Sequence, residues 1–231
     1  MLFCDIPDLV KKMKRKKKTV FFIQGEDSVM STNNEYLFLC AMSLSPSSPI
    51  AIFDSGIGGL NVLYEAVKQI GGDFIYYADT VHVPYGEKSR KEVHGYISAA
   101  VSFLATKNIK ALVLACNTAT SISVAQLREQ YEFPVIGMEP AVKPAVERTK
   151  GKRVLVLATS LTLKEQKFKD LVDRVDNERI VDFVALPELV DFAERFILLD
   201  EKVIDEVLNE KFSFLNPADY GTVVQIGRAH V

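Results

Sequence analysis

Three cysteines and three histidines in 231 residues are too few and too scattered for a zinc site or a disulfide framework. The cysteines stand at positions 4, 40 and 116 with no CxxC pair, a usage that fits a reducing cytosol. An excess of one charge sign is missing too. The 28 basic and 30 acidic side chains give a formal charge of -2, whereas a nucleic-acid or anionic-membrane partner calls for a marked basic excess. No apolar run approaches the roughly 18 residues that cross a bilayer. The run Lys11–Lys18 followed by Val20–Ile23 imitates the start of a secretory signal, but about four apolar residues fall short of the usual 7 to 15. The expectation is therefore a cytoplasmic protein with no metal, no membrane and no nucleic-acid partner.

What is present is an ordinary globular composition, 48% apolar and 25% charged, unevenly distributed. Residues 1–49 hold the basic run, an acidic-polar stretch and the Ser/Pro-rich SLSPSSP, which reads as a linker. They read as an extension, and the basic run as either a solvated tail or a nucleic-acid or membrane contact. They carry seven basic and five acidic residues, leaving 21 and 25 in a mildly acidic body. From Ile50 onward, short β-branched runs alternate with helix-length amphipathic segments, which predicts an α/β fold. Strands are expected at 50–53, 73–78, 111–115, 134–137, 153–158, 180–185 and 222–224. Helices are expected at 59–70, 90–107, 119–131, 140–149, 162–175, 187–196 and 200–210. Thr162 and Glu165 form a capping-box pattern for the fifth helix.

Open parallel sheets collect ligands at the carboxyl ends of their strands. After the first strand comes Asp54-Ser55-Gly56-Ile57-Gly58-Gly59, a carboxylate and a hydroxyl at the tip with glycines for a tight turn. It matches neither GxGxxG nor a P-loop, and the glycines by themselves serve a turn equally well. After the second comes Asp79 to Ser89, where Pro84-Tyr85-Gly86 fixes a turn able to present main-chain amides and a phenol to a carboxylate ligand. His82 reads either as a general base or as a surface or hydrogen-bonded histidine. After the third, Cys116-Asn117-Thr118 opens a helix whose unpaired amides and dipole favour thiolate over thiol. Cys116 reads equally as a buried small hydrophobe. Asn117 and Thr118 read as ligand contacts or as the helix cap.

Together, FDSGIGG at 53–59, DTVHVPYG at 79–86, ACNTAT at 115–120 and PVIGMEPAVKPA at 134–145 resemble the glutamate racemases of the aspartate/glutamate racemase superfamily. The likeness runs from about Ile50 to Val224. It implies two similar domains with mostly parallel sheets flanked by helices, here 50–141 and 142–231, the second incomplete. It also implies cofactor-independent interconversion of L- and D-glutamate, supplying D-glutamate for peptidoglycan, by a homodimer when full length. Cys116 becomes one of two catalytic bases, with Asp54 assisting it. Asp54, Ser55, Tyr85, Gly86, Asn117 and Thr118 become contacts of the substrate. An aspartate or other amino-acid racemase of the same superfamily, or a catalytically inactive amino-acid-binding module, is the alternative.

The chain departs from this pattern in three places. His82 stands where the superfamily more often has arginine, and Ala78 where glycine is common. The second cysteine, carried by a Gly-Cys-Thr-His motif after the last strand, is replaced by the segment Gln225–Val231. Residues 225–231 are therefore expected to be non-native, and the chain truncated and inactive or severely impaired.

Overall fold

The computed structural model describes residues 20–24, 48–194 and 201–227. Cys4, Cys40, the ends of two predicted helices and residues 228–231 lie outside the described residues. The elements in chain order are β1 (Val20–Gln24), β2 (Ile50–Asp54), α1 (Leu60–Gln69), β3 (Phe74–Ala78), α2 (Arg90–Ala105), β4 (Ala111–Leu114), α3 (Asn117–Gln130), β5 (Val135–Gly137) and α4 (Val142–Arg148). They continue with β6 (Arg153–Ala158), α5 (Ser160–Lys164), α6 (Gln166–Val175), β7 (Val181–Ala185), α7 (Glu188–Glu194), α8 (Glu201–Phe212) and β8 (Tyr220–Gln225). Two parallel sheets result, ordered β1-β3-β2-β4-β5 and β7-β6-β8.

The central strands β2 and β6 are continuously apolar in sequence because both of their faces are covered. In β2, Ala51 and Phe53 join the cluster under α2 and α3, while Ile52 faces Leu63 and Val67 of α1. In β6, Val154, Val156 and Ala158 pack with Phe168 and Val172 of α6, and Leu155 and Leu157 take the opposite side with Val184 and Leu186. Such strands carry no period-2 signature, as expected for buried parallel strands. Leu112 in β4 is fully buried, so Leu112→Ala is expected to cost about 2–5 kcal/mol. A denaturant titration would show this as a lower midpoint at unchanged slope.

Three differences from the sequence expectation stand out. Val20–Gln24, within the stretch read as an extension, pairs in parallel with β3 and forms the sheet edge. The predicted helix at 162–175 is two helices that meet at Glu165, whose extended backbone ends α5 and starts α6. The Thr162/Glu165 capping box does not form. Thr159 caps α5 by accepting from the Thr162 N–H, and the Thr162 side chain is buried rather than facing a helix start. A box does form at α2, where Ser89 and Glu92 exchange hydrogen bonds. Gln225 completes β8 and Ile226 is buried beside it, its N–H donating to the Leu157 carbonyl at 2.7 Å.

In the second sheet, Arg153, Asp182 and Tyr220 link all three strands at one end, with both other side chains bonding the carboxylate. The Arg153 guanidinium holds the Asp182 carboxyl below the usual carboxylate range.

Candidate functional site

The first sheet has a switch point. From β2 the chain moves outward to β3, then crosses back to β4 on the other side, so the loops after β2 and β4 diverge and leave a crevice at their carboxyl ends. That crevice is where the first and third motifs meet. The Ser55 hydroxyl donates to the Cys116 sulfur at 3.4 Å, across 61 residues of chain. Cys116 is the N-cap of α3, and its sulfur also accepts the Ala119 N–H at 3.4 Å. Two donors on the sulfur and a helix N-terminus beneath it are the arrangement that stabilises a thiolate. The thiol is not disulfide-bonded and is 8% exposed, buried yet at the crevice.

Asp54 is buried at the tip of β2. Its carboxylate accepts the Gly56 N–H at 3.0 Å and its carbonyl accepts the Asp79 N–H at 3.0 Å. The turn is clamped from below, where the Tyr76 hydroxyl donates to the Gly56 carbonyl at 2.7 Å. Gly59 then passes so close that an added Cβ would lie 2.8 Å from Asp54 Cβ and 2.9 Å from Ala115 Cβ. That glycine is required by close approach and not by a special φ.

At the tip of β3 the Tyr85 ring is buried, and its hydroxyl donates to Asp79 Oδ2 at 2.5 Å. Burial, with the Asp79 carboxylate second, pushes the phenol far above its ordinary ionisation range, so it stays protonated and its proton is committed. In this structure that proton is directed at Asp79. The turn also carries the Tyr85 and Gly86 main-chain N–H groups. His82 follows the hydrogen-bonded reading: Nδ1 lies 2.7 Å from Asp79 Oδ1 and the ring stacks on Tyr96 at 3.8 Å.

The start of α5 and the turn before it cover one side of the crevice. Thr118 Oγ1 is 2.9 Å from Thr162 Oγ1, itself 3.0 Å from Thr159 Oγ1. Thr118 is thus neither the cap of α3 nor solvent-facing, and Asn117 occupies the first helical position, half-buried. A Cβ on Gly86 would lie 2.7 Å from Thr159 Cβ, and Arg90 Nε donates to the buried Glu165 at 3.2 Å while its guanidinium also reaches the Ile122 carbonyl. Sequence reasoning missed Thr159, Arg90 and the use of Asp79. For Asp79 a signal existed, since IAIFD and FIYYAD both end an apolar strand in aspartate.

Among the described residues no group of three or more His, Cys, Asp or Glu side chains could hold a metal ion, and no helix is long and apolar enough to cross a membrane. A surface depression between α4 and α6 is lined by Glu139, Lys143, Glu147 and Arg174 over Leu171 and Val175, away from the strand tips. Glu139 there pairs with Lys167, and Lys143 with Glu147.

The geometry defines a class: a parallel α/β protein with a strand-tip crevice for a small polar ligand, and a thiol poised in it as nucleophile or base. The chain belongs to the Asp/Glu/Hydantoin racemase family, whose model matches residues 61–210. It is 56% identical over 182 residues to the glutamate racemase of Halothermothrix orenii, covering 78% of this chain and 71% of that one. Glutamate racemase 2 of Bacillus subtilis is 55% identical over 184 residues, covering 78% and 69%. Among solved structures, the Escherichia coli glutamate racemase in complex with L-glutamate and the activator UDP-MurNAc-ala superposes with a TM-score of 0.66 at 33% identity, over 78% of this chain and 69% of that one. A glutamate racemase isoform of Bacillus anthracis gives 0.67 at 31% identity, over 76% and 66%. The fold is α/β, with parallel sheets flanked by helices as in those structures.

Proposed function

We propose that the crevice binds glutamate and that Cys116 removes its α-proton in a cofactor-independent racemisation. The observation that carries this is the Ser55–Cys116 contact at the switch point, which brings the carboxylate-bearing β2 tip and the thiol to one place. The names of the relatives supply the substrate. A zwitterion needs an acidic wall for its ammonium and an amide-rich wall for its carboxylate. Asp54 and Ser55 supply the first. The turn Pro84–Gly86 and the α3 start at Asn117 and Thr118 supply the second.

Cys116 as thiolate takes the α-proton, and the carbanion is held by surrounding donors rather than by an electron sink. A second thiol on the opposite face returns a proton with inversion, and the two exchange roles in the reverse direction. This reading includes domains at 50–141 and 142–231, a cytoplasmic homodimer for a full-length enzyme, and D-glutamate for peptidoglycan as the product's use.

In this chain Cys116 is the one cysteine within a matching motif. A single thiol that takes a proton and returns it exchanges hydrogen with retention. Incubating the 231-residue chain with each glutamate enantiomer in deuterated water is expected to give slow α-deuterium incorporation and no measurable inversion. Accumulation of D-glutamate from the L form would reveal a second acid and overturn the single-thiol account. Absence of both exchange and binding would overturn the assignment of substrate.

A further inference from the structure

The proposed racemisation leaves one buried carboxylate at the site without a task. Asp79 is 2% exposed and spends both oxygens on its own loop, Oδ2 on the Tyr85 hydroxyl at 2.5 Å and Oδ1 on His82 Nδ1 at 2.7 Å. Its main-chain N–H is fixed to the Asp54 carbonyl at 3.0 Å, so the loop is tied to the tip of β2. An O–H to carboxylate bond of this length is charge-assisted and among the strong ones. A buried carboxylate is costly unless fully bonded, and a turn needing only a shape has Pro84 and Gly86 to give it one.

The held turn touches both halves of the crevice. Tyr85 packs in the same buried cluster as Cys116, and Gly86 lies so close to Thr159 that it admits no side chain. His82 connects the carboxylate to a partly exposed ring stacked on Tyr96 of α2, bracing the loop from outside. With the Tyr85 proton committed, the turn recognises a carboxylate through its main chain, and main-chain recognition depends on where the backbone is held.

We propose that Asp79 is a positioning residue: by holding Tyr85 and His82 it fixes the turn Pro84–Gly86 between Cys116 and Thr159 and so sets the affinity for the ligand's carboxylate. This rests on the reading of the crevice as a glutamate site. Asp79 acts through Tyr85 and touches neither the ligand nor the thiol's proton.

The test compares the unsubstituted 231-residue chain with Asp79→Asn, Tyr85→Phe and the double variant. Three readouts are taken: amide hydrogen exchange over 82–88, the downfield hydroxyl proton of a short O–H to carboxylate bond, and the L-glutamate concentration that protects Cys116 from iodoacetamide. Asp79→Asn is expected to speed exchange over 82–88 about tenfold or more and to raise the protecting concentration by a similar factor. Exchange in β2 and β4 stays unchanged, which separates this from general destabilisation. The downfield proton disappears in both single variants, and the double variant is no worse than Asp79→Asn. Unchanged exchange over 82–88, or an unchanged protecting concentration, overturns the proposal. If Asp79→Asn fails to fold, Tyr85→Phe removes one hydroxyl from the same bond and carries the same test. If glutamate does not protect even the unsubstituted chain, the substrate reading fails, and the exchange and hydroxyl data alone decide the role of Asp79.

Discussion

Cys116→Ser is expected to abolish glutamate α-deuterium incorporation, a fall of about 10²–10⁴, the usual contribution of a positioned general base. The sulfur is matched to its place in ways a hydroxyl is not. It sits as the N-cap of α3 with donors from Ser55 and Ala119, an environment that favours a negative atom. Serine keeps the cap, because its oxygen is a better N-cap acceptor than sulfur, so the fold survives while the base is lost. The same measurement on Cys4→Ser and Cys40→Ser should give rates within about twofold of the unsubstituted chain. Loss of exchange in Cys40→Ser with retention in Cys116→Ser would move the base elsewhere.

The second large effect is expected at Gly59. A methyl group there would meet Asp54 Cβ at 2.8 Å and Ala115 Cβ at 2.9 Å, both fixed directly to strand-tip backbone. Neither can rotate away, so relief requires shifting β2, β4 or the start of α1 at the switch point. Gly59→Ala is expected to cost about 1–3 kcal/mol in stability. Its effect on exchange is expected to be greater than that cost suggests, about 10²-fold, because a displacement near 1 Å at the tips misaligns Ser55 against Cys116. Thermal unfolding with deuterium incorporation on the folded fraction separates the two. Gly59→Ala with full exchange activity would show that the crevice tolerates a shift there.

Much of the fold and of the crevice was legible in the sequence, and what was not has a common cause. Strands such as Arg153–Ala158 were read at their full extent because a short unbroken apolar run flanked by polar residues has few other solutions. The strand-tip positions of Asp54, Ser55 and Cys116 came with those strands. The Thr162/Glu165 motif misled because local spacing says nothing of burial. Thr162 is turned to Thr118, 44 positions away, and Glu165 to Arg90, 75 positions away. The strand Val20–Gln24 was hidden behind a basic run and a linker-like stretch, and only its partner β3 marks its place. The Tyr85–Asp79 bond was likewise hidden, because sequence shows a hydroxyl but not its partner.

The three threonines that join α3 to α5 form a hydroxyl relay, Thr118 to Thr162 to Thr159, in which either member of each pair can be the donor. Such a relay has two polarities, related by rotating hydrogens while every heavy atom stays in place. The Arg90–Glu165 ion pair lies elsewhere on this seam, and an ion pair in place of the threonines would fix one sign of potential beside the start of α3. The hydroxyls fix none. The threonines can therefore turn a donor or a lone pair toward a neighbouring group as that group gains or loses charge, with no further ion to desolvate and no movement of heavy atoms.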